Sequence, residues 1–113
     1  MQWSKELVAA SATPLILSVL AHGENYGYAI IQEVAKLTGG KMQWTDGMLY
    51  PVLHRLEKQR FIASEWRVLE SKRKRKYYRL QKEGVKKLAE EKSKWEVLNT
   101  ALVSLWEPKT CLT

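Results

Sequence analysis

One cysteine in 113 residues, Cys111 near the C-terminal end, excludes an internal disulfide and fits a reducing compartment, so a cytoplasmic location is expected. Only two histidines are present, His22 and His54, and no His, Cys or acidic residues fall at metal-ligand spacing. There is no Gly-rich phosphate loop and no nucleophile elbow. Acid pairs such as Glu90 and Glu91 point to different faces of a helix and read as solvated. No catalytic residue, metal ligand or cofactor is therefore assigned, and an enzyme is not expected. Long apolar runs are missing too. The best stretch, Thr13–Ala21, is too short and too interrupted by Ser11, Thr13 and Ser18 to span a bilayer. It also lacks the charge layout and cleavage site of a signal peptide. What remains is one domain of ordinary size with no membrane partner.

What the chain does have is positive charge, unevenly placed. Of the formal net charge of +7, residues 41–94 carry +9, whereas residues 1–40 and 95–113 carry −1 each. Basicity confined to one region favours a nucleic-acid partner over a general solubility effect.

The informative part of that region runs from Thr45 to Tyr78. Leu49, Val52, Leu53 and Leu56 recur at i, i+3, i+4 and i+7, which puts four branched side chains on one stripe of a helix facing a core. Its other side carries Gly47, Pro51, His54 and Lys58, flanked by Tyr50 and Arg55, and such a face suits a DNA groove. Thr45 is placed to cap the helix and Asp46 complements its dipole. Pro51 removes one donor and presses on the carbonyl of Gly47, so a kink or a loosened first turn is expected. Tyr50, Pro51 and His54 are candidates for reading bases, with Thr45 and Met48 as alternates, while Arg55 and Lys58 lie nearer the backbone.

After Phe61 the pattern changes to alternation. Ile62, Ser64 and Trp66 alternate with Ala63, Glu65 and Arg67, and Lys76, Tyr78 and Leu80 with Tyr77 and Arg79, which predicts a β-hairpin. Its loop and return strand hold Lys72, Arg73, Lys74, Arg75 and Lys76. A charge run by itself is most often a solvated face. Directly after a helix with a basic outer face, it reads as a phosphate-contacting wing. Tyr77, and Asn25 and Tyr26 in the turn before the second helix of the motif, complete the candidate DNA contacts.

Met1–Ala12 reads as a short helix with Trp3, Leu7 and Ala10 or Ser11 on one face. Thr13–Ala21 reads as another, with Pro14 at its first position and Leu15, Ile16, Val19 and Leu20 as a core stripe. Gly23 ends it. A further helix from about Tyr26 shows a broad apolar face of Tyr28, Ile31, Ala35, Ile30, Val34 and Leu37, stopped by Gly39 and Gly40. These are the parts of a helix-turn-helix extended by a wing. From Lys82 to about Trp106, before Pro108, one helix of roughly 35 Å follows. Leu88, Trp95 and Leu102 are spaced by seven, as are Glu91, Leu98 and Leu105, which makes a seam that needs a partner helix. The expected fold is mainly α with a two-stranded β-hairpin. Residues 1–81 form the DNA-binding domain, 82–107 a dimerisation helix and 108–113 a tail.

Three blocks, ENYGYAIIQEV (Glu24–Val34), GMLYPVLHRLEKQRFI (Gly47–Ile62) and RKYYRLQKEG (Arg75–Gly84), resemble the signature blocks of PadR-type transcriptional regulators. The single C-terminal helix resembles the compact branch that includes multidrug-sensing repressors. The resemblance implies a two-fold homodimer on a double-stranded DNA operator, with the long helix packed on its copy and on the partner's N-terminal helix. It also implies a repressor released by a planar aromatic ligand at the dimer centre. Trp95, with Leu7 and Asn99, matches that ligand site, although a tryptophan at seam spacing is more often plain core. Asn99 stands where those proteins carry an acid. The chain also departs at Arg60, where glycine is common, and at Ser71, Lys72 and Arg73, where the wing usually has glycines. A non-specific or architectural nucleic-acid binder, without an effector and without preference for a palindromic site, is the alternative.

Overall fold

The computed structural model describes residues 3–107, so Met1, Gln2, Pro108 and Cys111 lie outside it. Ser4 opens the first helix, α1 (Lys5–Ala21), by accepting the Leu7 N–H on its Oγ at 3.1 Å. Trp3, the residue before this cap, packs beside Val8 against the core as a hydrophobic staple. It therefore does not share a helical face with Leu7. The two helices expected over 1–21 are one, running straight through Pro14. Proline there removes a single hydrogen bond to Ala10, while a continuous helix buries Ala12, Ile16, Leu17, Val19 and Leu20 as one unit.

After the turn at Gly23 come β1 (Asn25–Tyr26), α2 (Gly27–Leu37) and α3 (Asp46–Lys58). In α2, Ile30 and Val34 enter the core, but Tyr28 and Leu37, expected on the same face, are exposed. Tyr28 sits on the opposite side of the helix, and Leu37, in its last turn, borders an open groove against Leu15, Ser18 and Val19 of α1 instead of entering the core. In α3, Leu49, Leu53 and Leu56 are fully buried, and Thr45 Oγ1 accepts the Met48 N–H at 3.3 Å. This helix continues unbroken across Pro51. Its end is a Schellman motif in which the Arg60 N–H reaches Glu57 and the Phe61 N–H reaches Leu56, each at 3.0 Å. That geometry requires a left-handed residue, and Arg60 supplies it with φ 65°.

The expected hairpin is formed by β2 (Ile62–Val68) and β3 (Lys74–Leu80), and β1 adds a third antiparallel strand in the order β1-β3-β2. Asn25 pairs with Tyr78 and Tyr26 with Tyr77. Ile62 and Tyr78 close the core from the sheet side, and Met42 and Trp44 close it from the α2–α3 connection.

α4 (Lys82–Trp106) leaves the body over Gly84, where a Cβ would collide with the Phe61 carbonyl. That carbonyl also accepts the Gln81 N–H at 2.9 Å, so α3, β2 and α4 meet at one joint. The helix closes at Glu107, which has the extended ψ of 132° that a residue before proline prefers. α4 gives the molecule its length of 70 Å against widths of 31 and 22 Å.

Candidate nucleic-acid interface and the α1–α4 cavity

The outer side of α3 presents Gly47, Tyr50, Pro51, His54 and Lys58 to solvent, as its apolar periodicity requires. Tyr50 is held in place by close approach: a Cβ on Gly27 would run into its hydroxyl end. Two expected members of this face sit elsewhere. Met48 is half-buried against the core beside Trp3 and Trp44, and Arg55 turns to α1, where its Nη2 donates to Thr13 Oγ1 at 3.1 Å. Both lie on the flank of α3 facing α1, about a quarter-turn or more from its exposed midline.

The basic run divides in two. Lys72, Arg73 and Lys74 are exposed at the wing tip, with no acidic partner among the described residues. The turn is closed by the Lys72 N–H on the Leu69 carbonyl at 2.8 Å, and Lys72 itself takes φ 68°. Arg75 and Lys76 are half-buried and partnered within the chain. Arg75 lies 3.9 Å over the Tyr26 ring; Lys76 lies over Trp66 and Tyr78 and 4.0 Å from Glu57. The five cations thus avoid mutual repulsion partly by stacking on rings, a solution their sequence run does not reveal. Asn25 spends its Oδ1 on the N–H of Tyr26 at 3.0 Å, and Tyr26 meets Tyr77 edge-on at 5.6 Å.

Between wing and α3 lies a cleft of about 490 Å³ walled by Tyr28, Tyr50, His54, Trp66 and Lys74–Lys76. Trp66, 63% exposed, and Tyr28 are aromatic surfaces that sequence periodicity does not mark as functional. A second cavity, about 470 Å³, opens between α1 and α4. Trp95 and Asn99 line it together with Pro14, Ser18, His22 and Lys92. Leu7 does not. It lies two turns nearer the N-terminus of α1, exposed to solvent. Along α4, Leu88 and Trp95 are half-buried and Leu102 likewise, whereas Leu98 is 50%, Leu105 80% and Trp106 70% exposed. Trp106, eleven residues after Trp95, returns to the same helical face and was not part of the expected seam.

Residues 16–90 match the transcriptional regulator PadR-like family. The chain belongs to that family. A PadR family transcriptional regulator from Eggerthella lenta is 36% identical, with 92% of this chain and 88% of that chain covered and a TM-score of 0.77. A transcriptional regulator from Clostridium thermocellum is 28% identical over 91% of this chain and all of its own, with a TM-score of 0.81. A protein from Lysinibacillus sphaericus is 31% identical over 90 residues, 80% of this chain and 83% of its own. This PadR-family chain is therefore a transcriptional regulator with a winged-helix fold and not an enzyme. Among the described residues no helix is long and apolar enough to cross a membrane. At the two places where the PadR resemblance implies glycine, Arg60 and the wing tip, a charged residue holds the left-handed conformation instead.

Proposed function

We propose that the protein is a homodimeric repressor that lays α3 in the major groove of an operator, sets its wing on the adjacent backbone, and is released by a planar aromatic ligand in the α1–α4 cavity. The observation that carries this is the exposed α3 face of Tyr50, Pro51, His54 and Lys58 standing beside the cationic wing tip, in a chain of a regulator family. Tyr50, Pro51 and His54, with Thr45 at the helix start, read bases. Lys58, Lys72, Arg73 and Lys74 take phosphates, and Asn25, Tyr26, Arg75, Lys76 and Tyr77 support the wing from behind.

Residues 1–81 act as the DNA-binding unit and 82–107 as the dimer helix, in the cytoplasm. The exposed Leu98, Leu105 and Trp106 support pairing with a second copy, because monomers rarely leave such a stripe uncovered. A two-fold pair would set two Trp95-lined cavities near each other. Asn99 stands in place of an acid, and the cavity wall carries Glu96 as well as Lys92 and His22, so its charge does not select a cationic ligand alone.

Selection of bound duplexes from a random pool, followed by affinity measurements against salt, tests the DNA reading. A palindromic site should emerge, and changing Lys72, Arg73 and Lys74 together to Ala should reduce the slope of log affinity against log salt by about 0.9 for each phosphate no longer neutralised. Equal binding to all duplexes would make the protein an architectural binder instead. For the ligand, Trp95→Ala should abolish tryptophan quenching by flat aromatic dyes.

A further inference from the structure

The face of the wing opposite Trp66 and Tyr78 carries a continuous stack, whose last member, Arg75, reaches the rim of the cleft toward α3. Glu24, in the turn after α1, grips Arg67 of β2 with both oxygens, at 2.6 Å to Nη1 and 2.7 Å to Nη2. Glu65 takes the Arg67 Nη2 as well, at 2.6 Å. The guanidinium lies 4.5 Å over the Tyr77 ring, Tyr77 meets Tyr26 edge-on, and Arg75 covers the other ring of that pair at 3.9 Å. The stack therefore runs from the end of the helical body, through Arg67 and two tyrosines, to a wing cation. Its main-chain parallel is the two-residue strand β1.

We infer that Glu24 and Arg67 are positioning residues that hold the wing at the angle at which its cations meet the DNA backbone. The inference rests on the DNA-binding reading above. Two observations point to positioning and not to direct contact. A short hairpin is marginal without further support, and everything from Val68 to Lys74 except Leu69 is exposed. In addition, the charge of Arg67 is spent on two carboxylates, so the Glu24–Arg67–Glu65 cluster has a net charge of −1 and by Coulomb's law alone opposes a polyanion. Such a cluster serves a DNA-binding wing only through geometry.

That opposition of signs supplies the test. Glu24→Gln and Glu65→Gln each remove one negative charge touching Arg67, but Glu65 lies on the same strand, two residues from its partner, and ties nothing to the body. In the full chain, Glu65→Gln should leave DNA affinity unchanged or raised. Glu24→Gln should lower it and cut the salt slope by about 0.9 as one of the tip cations Lys72, Arg73 or Lys74 moves off its phosphate, so that the parent's affinity falls about 3.5-fold more than the variant's between 50 and 200 mM salt. Arg67→Lys, which keeps the charge but loses the two-pronged grip, should behave as Glu24→Gln does. Hydrogen exchange without DNA supplies the independent readout: amides from Val68 to Lys74 should open faster in Glu24→Gln and not in Glu65→Gln. Equal affinity in the two Gln variants, or tighter binding by Glu24→Gln, would overturn the inference while leaving the DNA reading in place. A parent that binds no duplex would defeat the DNA reading, and the exchange rates would then decide whether Glu24 holds the wing at all.

Discussion

The winged body and α4 use apolar residues in opposite ways. In the body, Ile16, Leu17, Ile30, Leu49, Leu53 and Leu56 are essentially removed from water within one chain. In α4 the one buried residue is Gly84, and the large side chains near its end lie open. The body is a core completed within one chain, whereas α4 leaves most of its large apolar side chains open. The far side of α4 is plainly built for water: Glu90 sits between Lys87 at 3.6 Å and Lys94 at 3.0 Å, and the hydrogen bond from Lys94 holds its carboxyl below the ordinary carboxylate range. A helix solvated on one side and apolar on the other, with little of the described chain covering the second half, offers the surface that the proposed second copy would cover.

The largest expected effect breaks the α4 side. Leu102→Asp would place an unpaired carboxylate in the seam of both copies, at a cost on the order of 3–5 kcal/mol each. Sedimentation should then show monomers at concentrations where the parent is dimeric; an unchanged dimer would mean that α4 is not the interface. Next comes the body. Leu53→Ala should lower stability by about 2–5 kcal/mol, since a fully buried leucine leaves a cavity. The contrast lies in mass action: the Leu53→Ala loss should be the same at every protein concentration, while Leu105→Ala should matter only where dimer forms. Thermal melts over a hundredfold dilution separate the two.

These two regions are not equally legible in the sequence. The α3 stripe, the hairpin and the length of α4 follow from local periodicity, which fold and sequence share residue by residue. β1 escapes such a reading because its partners Tyr77 and Tyr78 are some fifty residues away, and a two-residue strand has no periodicity of its own. Pro14 reads as a helix start because propensity weighs the proline and not the five core residues that a continuous α1 buries. Met48 and Arg55 fall among the DNA-facing residues by proximity in sequence, although their angle around α3 directs them to α1. Of the wing cations, number and sign are readable. Which of them stack on rings is not, because Tyr26 and Glu24 come from another element. The one signal available for Arg67 is its place among the alternating β2 residues, and that gives a face but no partner.

A third effect belongs to the body alone. Tyr78 is buried at the sheet–helix junction, and burial first, then the nearby Tyr50 and Glu57, pushes its phenol up to about 12 from the usual 10. With the folded value above the unfolded one, the unfolded chain loses this proton first. Stability from Tyr78 is therefore complete below about pH 10 and falls as the pH rises towards 12, by up to about 1.36 kcal/mol per pH unit. Denaturant midpoints measured from pH 9 to 12 should show this fall, and Tyr78→Phe should flatten it. α4 contains no tyrosine, so dimer dissociation should not share this dependence.

The smallest expected effect falls at the joint between the two regions. Arg60 holds φ 65° to complete the Schellman motif, and a side chain in that conformation costs on the order of 1 kcal/mol. Glycine would remove the strain but bring a more flexible unfolded chain at a cost of roughly 0.5–1 kcal/mol, so Arg60→Gly should stabilise by at most about 0.5 kcal/mol net. For a domain of this size that is a rise in melting temperature of at most about 4 °C. The Phe61 carbonyl, which receives the Gln81 N–H and touches Gly84, should keep its place, so the departure angle of α4 and the dimer affinity should stay as they were. A lower melting temperature would mean that the Arg60 side chain contributes more than its backbone strain removes, and a changed dimer constant would mean that the joint transmits strain from the body into α4.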